Sequence, residues 1–186
     1  MKGLERVLTS IEGRKIIAID GRSAAGKTTL AEELLAVTGG DILHMDDFFL
    51  PPELRTAQRY SEPGGNIHRE RFQEEILPFL RNESIVKYRR FDCQKGAYDA
   101  NLLSLDTSRT VIIEGAYSLL PVFGKYYDIS IFVDIDPERQ LERIRKRNGK
   151  EKAEVFRTKW IPLEEAYINA YSIDKGADLI IDGCQE

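Results

Sequence analysis

Apolar residues along this chain alternate between two rhythms. Short unbroken apolar runs, rich in β-branched residues, recur at Lys15–Asp20 (KIIAID), Asp41–Met45 (DILHM), Arg109–Glu114 (RTVIIE), Ile129–Asp134 (ISIFVD) and Asp178–Asp182 (DLIID). Runs this short without polar alternation predict strands covered on both faces. Between them the apolar positions take helical spacing. Lys27–Val37 reads as a helix with Leu30, Leu34 and Leu35 facing inward, stopped by Gly39 and Gly40. Arg69–Leu80 reads as a second, with Phe72, Ile76 and Phe79 on one face and Pro78 disturbing its last turn. Pro137–Asn148 is a charged helix opening on Asp136 as N-cap, and Ile161–Tyr171 tolerates Pro162 in its first turn. Strand and helix in alternation predict an α/β fold: a mainly parallel five-stranded sheet with helices on both faces. Phe49–Asn66 and Phe91–Thr107 fit neither rhythm and read as long loops, which in a compact domain are often functional.

Composition narrows the setting. At 186 residues and 42% hydrophobic, the chain suits one domain spanning residues 1–186 around one large core. A formal net charge of -4 offers no general attraction to nucleic acid or anionic membrane, so neither is expected as a partner and phosphate binding has to be local. No apolar run approaches the roughly 20 residues of a membrane span. The opening MKGLERVLTSIEGRK is amphipathic and charged and lacks the apolar centre of a secretory signal. Cys93 and Cys184 are far apart, with no CxxC and no zinc spacing, and read as reduced thiols of a cytoplasmic protein.

Candidate chemistry begins between the first strand and the first helix. Gly21-Arg22-Ser23-Ala24-Ala25-Gly26-Lys27-Thr28 fits GxxxxGK[ST] at every fixed position. Glycines there permit backbone angles and a close approach that a Cβ would block. Successive N–H groups and the helix N-terminus then form a cup for a polyphosphate. Gly21, Ser23, Ala24, Ala25, Gly26, Lys27, Thr28 and Thr29 are the candidates for nucleotide binding, with Lys27 reaching the β- and γ-phosphates and the Thr28 hydroxyl taking one Mg²⁺ position. A GTPase would add NKxD and DxxG, and a transport ATPase an LSGGQ-like signature; the chain has none of them. Their absence points to a kinase.

Ligands of open parallel sheets bind beyond the carboxyl ends of the strands. Asp20, Asp46, Asp47 and Glu114 all fall at such ends. Phosphoryl transfer to an alcohol needs a base near the attacking hydroxyl and a metal bridging the phosphates. Neighbouring Asp46 and Asp47 leave the strand in different directions, so one of them can face an acceptor. Asp46 is assigned as base, Asp47 as metal shell or structural, and Glu114 as holder of a Mg²⁺-bound water. The structural alternative is that such acids cap the turns that follow them.

Taken in order, GRSAAGKTT, MDDFF, IIEGAYSLL and ERIRKR resemble the uridine kinase-like branch of the P-loop kinases, related to phosphoribulokinase and pantothenate kinase. The resemblance runs from Lys15 to Asp182. It implies a three-layer P-loop NTPase fold with a short lid near residues 146–160. It also implies that Asp46, the first acid of a segment similar to Asp-x-Phe-Tyr, is the base, and that Tyr88 with Arg89–Asp92 (RRFD) lines the acceptor pocket. The family's Asn-x-Asp-His-Pro segment, whose Asp grips ribose, is replaced by GGNIHRERF, with no acid before His68. His68 could therefore bind a different alcohol or acid, or cap a helix.

Arg139, Arg143 and Arg147 recur every four residues and share one helix face. A charged face is commonly just solvated. Here it precedes the breaker-rich NGKEK, where the resembled family carries its lid. Arg143 and Arg147 are the candidates to close over the transferring phosphoryl, with Arg157 a weaker one; such donors contribute roughly 10³–10⁵ in rate. Trp160 is read as packing the base of the lid against the core. The combined expectation is an ATP- and Mg²⁺-dependent kinase acting on a hydroxyl of a small metabolite, a nucleoside or sugar-like alcohol. Asp46, Phe49, His68, Tyr88 and Asp92 would shape the acceptor site, and a homo-oligomer is compatible with the chain. The alternatives are a P-loop ATPase, or a nucleotide-dependent regulator, without a small-molecule acceptor.

Overall fold

The computed structural model describes residues 2–13 and 15–183; Cys184, read above as a reduced thiol, lies outside them. The chain runs through α1 (Lys2–Ile11), β1 (Ile16–Gly21), α2 (Lys27–Thr38), β2 (Asp41–His44), α3 (Ala57–Ser61), α4 (Arg69–Glu75), β3 (Ile85–Tyr88), β4 (Phe91–Asp92) and β5 (Ala97–Tyr98). It continues with β6 (Leu103–Asp106), β7 (Val111–Glu114), β8 (Ile129–Asp134), α5 (Pro137–Asn148), α6 (Lys150–Val155), α7 (Ile161–Tyr171), α8 (Ile173–Gly176) and β9 (Leu179–Asp182). Five strands form one parallel sheet in the order β2-β7-β1-β8-β9. They are the five apolar runs of the sequence.

Alternate residues of the sheet feed two separate cores. Ile16 and Ala18 of β1, Val111 and Ile113 of β7, and Phe132 of β8 join Phe72, Ile76 and Tyr167 on one face. Ile17, Ile19, Ile112, Ile131 and Val133 join Leu30, Ala31 and Leu34 of α2 and Val7 and Ile11 of α1 on the other. The central strands β1, β7 and β8 are dry on both faces, which is why they carry no polar alternation, whereas the edge strand β9 leaves Ile180 half exposed. The result is a three-layer α/β fold. Asp136 caps α5 by accepting from the Glu138 and Arg139 amides, and Pro162 sits in the first turn of α7, as their positions in the sequence predict.

Several expectations need correction. The second helix stops at Glu75, not Leu80, because Pro78 has no N–H to donate and disfavours helical geometry just before it. Chain direction changes there, so Phe79 is 39% exposed and Leu80, at 4%, takes its place in the core. Phe91–Thr107 is not a loop: β4 and β5 pair as a short hairpin, and β6 pairs antiparallel with β3. Phe49–Asn66 is also folded. Thr56 caps α3, while the Arg59 guanidinium donates to the carbonyls of Gly65 and Ile67 and ties the segment back on itself. Among the described residues no helix is long and apolar enough to cross a membrane.

Gly21 ends β1 at φ 143°, and a Cβ built on it would lie 2.1 Å from the Val133 carbonyl oxygen of β8. Left-handed strain and a backbone clash then act together. Gly21→Ala is expected to cost about 2–4 kcal/mol in urea unfolding.

Candidate active site

The sheet order puts β1 between β7 and β8, so the chain leaves β1 at the point where the crossovers change direction. A cavity of about 810 Å³ opens there, beyond the strand ends, of a size that ligand sites commonly have. Its floor is the glycine-rich turn. Ala24 at φ 60° and Gly26 at φ 107° curl the backbone, and Ser23, Ala24, Gly26, Lys27, Thr28 and Thr29 face the cavity. Gly21 and Ala25 do not. Ala25 is packed into the core beneath α2, and Gly21 sits one step behind, its carbonyl accepting from Lys27.

That turn is held from three sides. Lys27 Nζ donates to the carbonyls of Gly21 (2.8 Å) and Arg22 (2.9 Å), leaving one of its three hydrogens over. The Arg22 guanidinium forks onto Glu165 at 2.6 and 3.1 Å and also meets Asp134. The Glu164 carboxylate accepts from the Ser23 amide at 3.0 Å and from its hydroxyl. Burial raises the Glu164 pKa, against the pull of Lys27 and Ser23. From α5, Arg143 donates to the carbonyls of Ala24 (3.2 Å) and Gly183 (2.9 Å). Sequence reasoning missed Glu164 and Glu165; a Glu-Glu pair on a helix gives no sign of what it faces.

Four strand-end acids take four different roles. Asp46 follows β2 in a single 3₁₀ turn, Met45–Phe48, and its exposed side chain lines the cavity. Desolvation by the cavity walls raises its pKa, Glu114 adds to the rise, and Lys27, His44 and Arg147 oppose it. Asp47 turns the other way, into the core, and accepts from the Tyr88 hydroxyl at 3.0 Å. Glu114, on β7, lies 3.2 Å from the Thr28 hydroxyl and 2.5 Å from His44 Nδ1. That contact leads the causes raising the His44 pKa. Asp20 is a structural hub, bonded to the Gly21, Tyr117 and Leu119 amides and to the Tyr167 hydroxyl.

The residues expected to shape an acceptor site are placed differently. Phe49 lines the cavity as read, but His68, Tyr88 and Asp92 do not. His68 caps α4, its Nδ1 accepting from the Arg71 amide. Tyr88 alternates inward with Val86 along β3 and stacks on Phe48 at 5.5 Å. Asp92 is absorbed by its own turn, accepting from the Gln94 and Lys95 amides. Leu50, Arg55, Tyr60, Asn66, Cys93 and Tyr117 stand there instead. None announces itself in sequence, because tertiary folding of the Phe49–Asn66 segment and the hairpin brings them in.

The far wall is basic and aromatic. Arg143, Lys146 and Arg147 project from one face of α5, and Phe156 and Trp160 come from a wide π turn, Phe156–Trp160, that joins α6 to α7. Trp160 thus borders the cavity and is not packed into the core. Lys159 lies 4.6 Å from the ring centres of both Tyr60 and Trp160, linking the two sides of the opening. Arg157 points elsewhere, paired with Glu154 on the exposed surface. Thr28 and Glu114 offer hard oxygen donors beside the phosphate cup. Such a pair suits Mg²⁺, which keeps most of its ligands as water and phosphate oxygens.

No family model matches the chain. Among curated proteins it is similar to the tRNA-specific adenosine deaminase subunit tad2 of Schizosaccharomyces pombe, with 30% identity over 135 residues, covering 69% of this chain and 32% of that protein. It is also similar to uridine-cytidine kinase D of Dictyostelium discoideum, with 26% identity over 129 residues, covering 68% of this chain and 25% of that protein. The chain therefore spans a third or less of these relatives. Among solved structures it matches a candidate uridine kinase from Bacillus stearothermophilus with TM-score 0.72 and 19% identity, covering 97% of this chain and 98% of that one. A candidate fructose transport system kinase from Silicibacter sp. TM1040 matches with TM-score 0.74 and 20% identity, covering 95% and 98%.

Proposed function

We propose, for a chain with the fold of the uridine kinase-like P-loop kinases, that it transfers the γ-phosphoryl group of ATP, with Mg²⁺, to a hydroxyl of a small metabolite. The observation that carries this is the position of Asp46. It is an acid lining the cavity whose floor is the glycine-rich turn and whose far wall carries Arg147. A nucleotide seated on the turn would direct its terminal phosphate toward that acid. An ATPase also positions its attacking water with such a residue, so what favours an alcohol acceptor is the walled space beside Asp46, larger than a water needs.

The residues divide the work. Backbone amides of Ser23 to Thr29 bind the phosphates, and Lys27 exchanges loop carbonyls for phosphate oxygens. Thr28 and Glu114 would hold Mg²⁺, which neutralises charge on the β- and γ-oxygens when bound. Asp46 accepts the proton of the attacking hydroxyl, and Arg147 stabilises charge on the transferring group. Residues 146–160 act as a lid that excludes water, which would otherwise compete with the alcohol. A nucleoside or sugar-like alcohol is the simplest acceptor, and the chain is read as cytoplasmic. The deaminase relative does not extend its chemistry here. A zinc deaminase needs a His/Cys/Cys ligand set with a paired CxxC, and this sequence has no CxxC.

A panel of hydroxyl compounds, followed by ADP release, tests the reading directly. At least one alcohol should stimulate release strongly; steady hydrolysis indifferent to every alcohol would overturn it. The two arginines separate the lid roles. Arg147→Ala should lower kcat about 10²-fold or more, while Arg157→Ala, which removes only an exposed pair, should leave kcat nearly unchanged.

A further inference from the structure

The acceptor end of the cavity holds a cation and an amide that the proposed mechanism leaves idle. Arg55 is fixed in place. Its Nε donates to the Leu50 carbonyl at 2.8 Å, and its guanidinium carbon lies 5.9 Å from the centre of the Phe91 ring. Both terminal nitrogens are left over, and no described carboxylate lies within ion-pair distance. Elsewhere the fold supplies such partners. Arg22, Arg59, Arg71 and Arg90 each have a carboxylate oxygen at 2.6–2.7 Å. An arginine held rigid, facing a cavity and denied an acid, is arranged for an acid from outside.

Asn66 supplies the independent second observation. It is 5% exposed and lines the same end of the cavity, yet its Oδ1 has no hydrogen-bond partner. Its side chain also acts on the neighbouring Tyr117 hydroxyl, opposing the rise that burial imposes on that group's pKa. A buried acceptor left unpaired is unfavourable, and an incoming O–H would relieve that cost. Cys93 also lines this end, among the charges of both Asp46 and Arg55.

We propose that Arg55 and Asn66 are specificity residues, and that the acceptor is an alcohol bearing an anionic group, a carboxylate or a phosphate ester. The anion lies on Arg55, a second hydroxyl donates to Asn66 Oδ1, and the reacting hydroxyl lies at Asp46. This rests on the kinase reading and narrows it. A neutral nucleoside would leave the guanidinium desolvated and unpaired when the site closes, whereas an anion pairs with it through two parallel hydrogen bonds. Placing the anion on Arg55 also keeps it off the Asp46 carboxylate, which would repel it.

The test uses matched pairs, glycerol against glycerate and glycerol 3-phosphate, and ribose against ribose 5-phosphate. Two readouts are taken with the full chain: ADP release with ATP, and the rate of Cys93 alkylation with a non-hydrolysable ATP analogue, in a Cys184→Ser background so that one thiol reports. In at least one pair the anionic member should give the higher kcat/KM and should slow Cys93 alkylation. Arg55→Ala should reduce that preference roughly 10–100-fold. Asn66→Asp, which sets a like charge beside the anion, should abolish protection by the same probe. The glycerate and glycerol 3-phosphate arms tell a carboxylate from a phosphate. Arg55-dependent protection of Cys93 without ADP release would sustain the anion site and overturn the kinase reading. Phosphorylation of neutral members with equal or greater kcat/KM, or no protection by any anionic probe, would overturn the anion site whatever the fate of the kinase reading.

Discussion

Asp46→Asn is expected to lower alcohol-stimulated ADP release by about 10²–10⁴-fold, the range lost when a positioned general base is removed. The amide keeps the size and shape of the side chain and cannot take a proton. Nucleotide binding should survive, because the glycine-rich turn is held by Arg22, Glu164 and Arg143 without help from Asp46. The pH profile offers an independent reading. Burial raises the Asp46 pKa above the ordinary carboxylate value of 3.8, Glu114 adds to the rise, and Lys27, His44 and Arg147 restrain it. A base must be ionised to act, so the acid limb of kcat/KM should lie above that ordinary value. Strong stimulation by the same alcohol in wild type and variant alike would remove Asp46 from the mechanism.

The second large effect is on folding. Asp20→Ala should destabilise the protein by about 3–5 kcal/mol, because it strands several buried donors at once. The carboxylate accepts from the Gly21 amide at 2.7 Å, the Tyr117 amide at 3.2 Å, the Leu119 amide at 2.9 Å and the Tyr167 hydroxyl at 2.7 Å. Tyr117 sits at φ 74°, an unusual conformation for a residue with a Cβ, so the turn after β7 depends on that anchor. For a chain of this size the loss corresponds to a fall of roughly 10 °C in Tm. Asp20→Asn keeps one acceptor oxygen and should recover part of it. A thermal melt in which Asp20→Ala matches wild type would show that the turn is held by other contacts.

What could be read in advance divides along a physical line. The central strands β1, β7 and β8 were legible because a strand dry on both faces must be apolar without interruption, and the edge strands β2 and β9 from the shorter apolar pieces Ile42-Leu43 and Leu179-Ile180-Ile181. The glycine-rich turn was legible because its backbone angles and its chemistry select the same few residue types. Asp46 stood out by its place after β2. The acceptor wall was not legible, since β4 and β5 are two residues each and carry no periodicity. Tyr88 and Asp92 were placed there by resemblance, but the inward register of β3 and the turn after β4 put them to structural use. Arg55 and Asn66 stood inside a segment that looked like loop. Their positions follow from Arg59 bonding the carbonyls of Gly65 and Ile67, side-chain contacts within the segment that leave no hydrophobic period to read. His44 was hidden for a different reason: its partner, Glu114, is 70 residues away.

The wide turn at Phe156–Trp160 runs without a break into α7. One rod therefore carries two aromatic rings over the mouth of the cavity and, four residues on, the carboxylate that grips Ser23. Lifting the rings must tug the phosphate cradle. On the kinase reading, access for an acceptor and the shape offered to a nucleotide share one mechanical coordinate, so each ligand should find the other's seat altered by its own arrival.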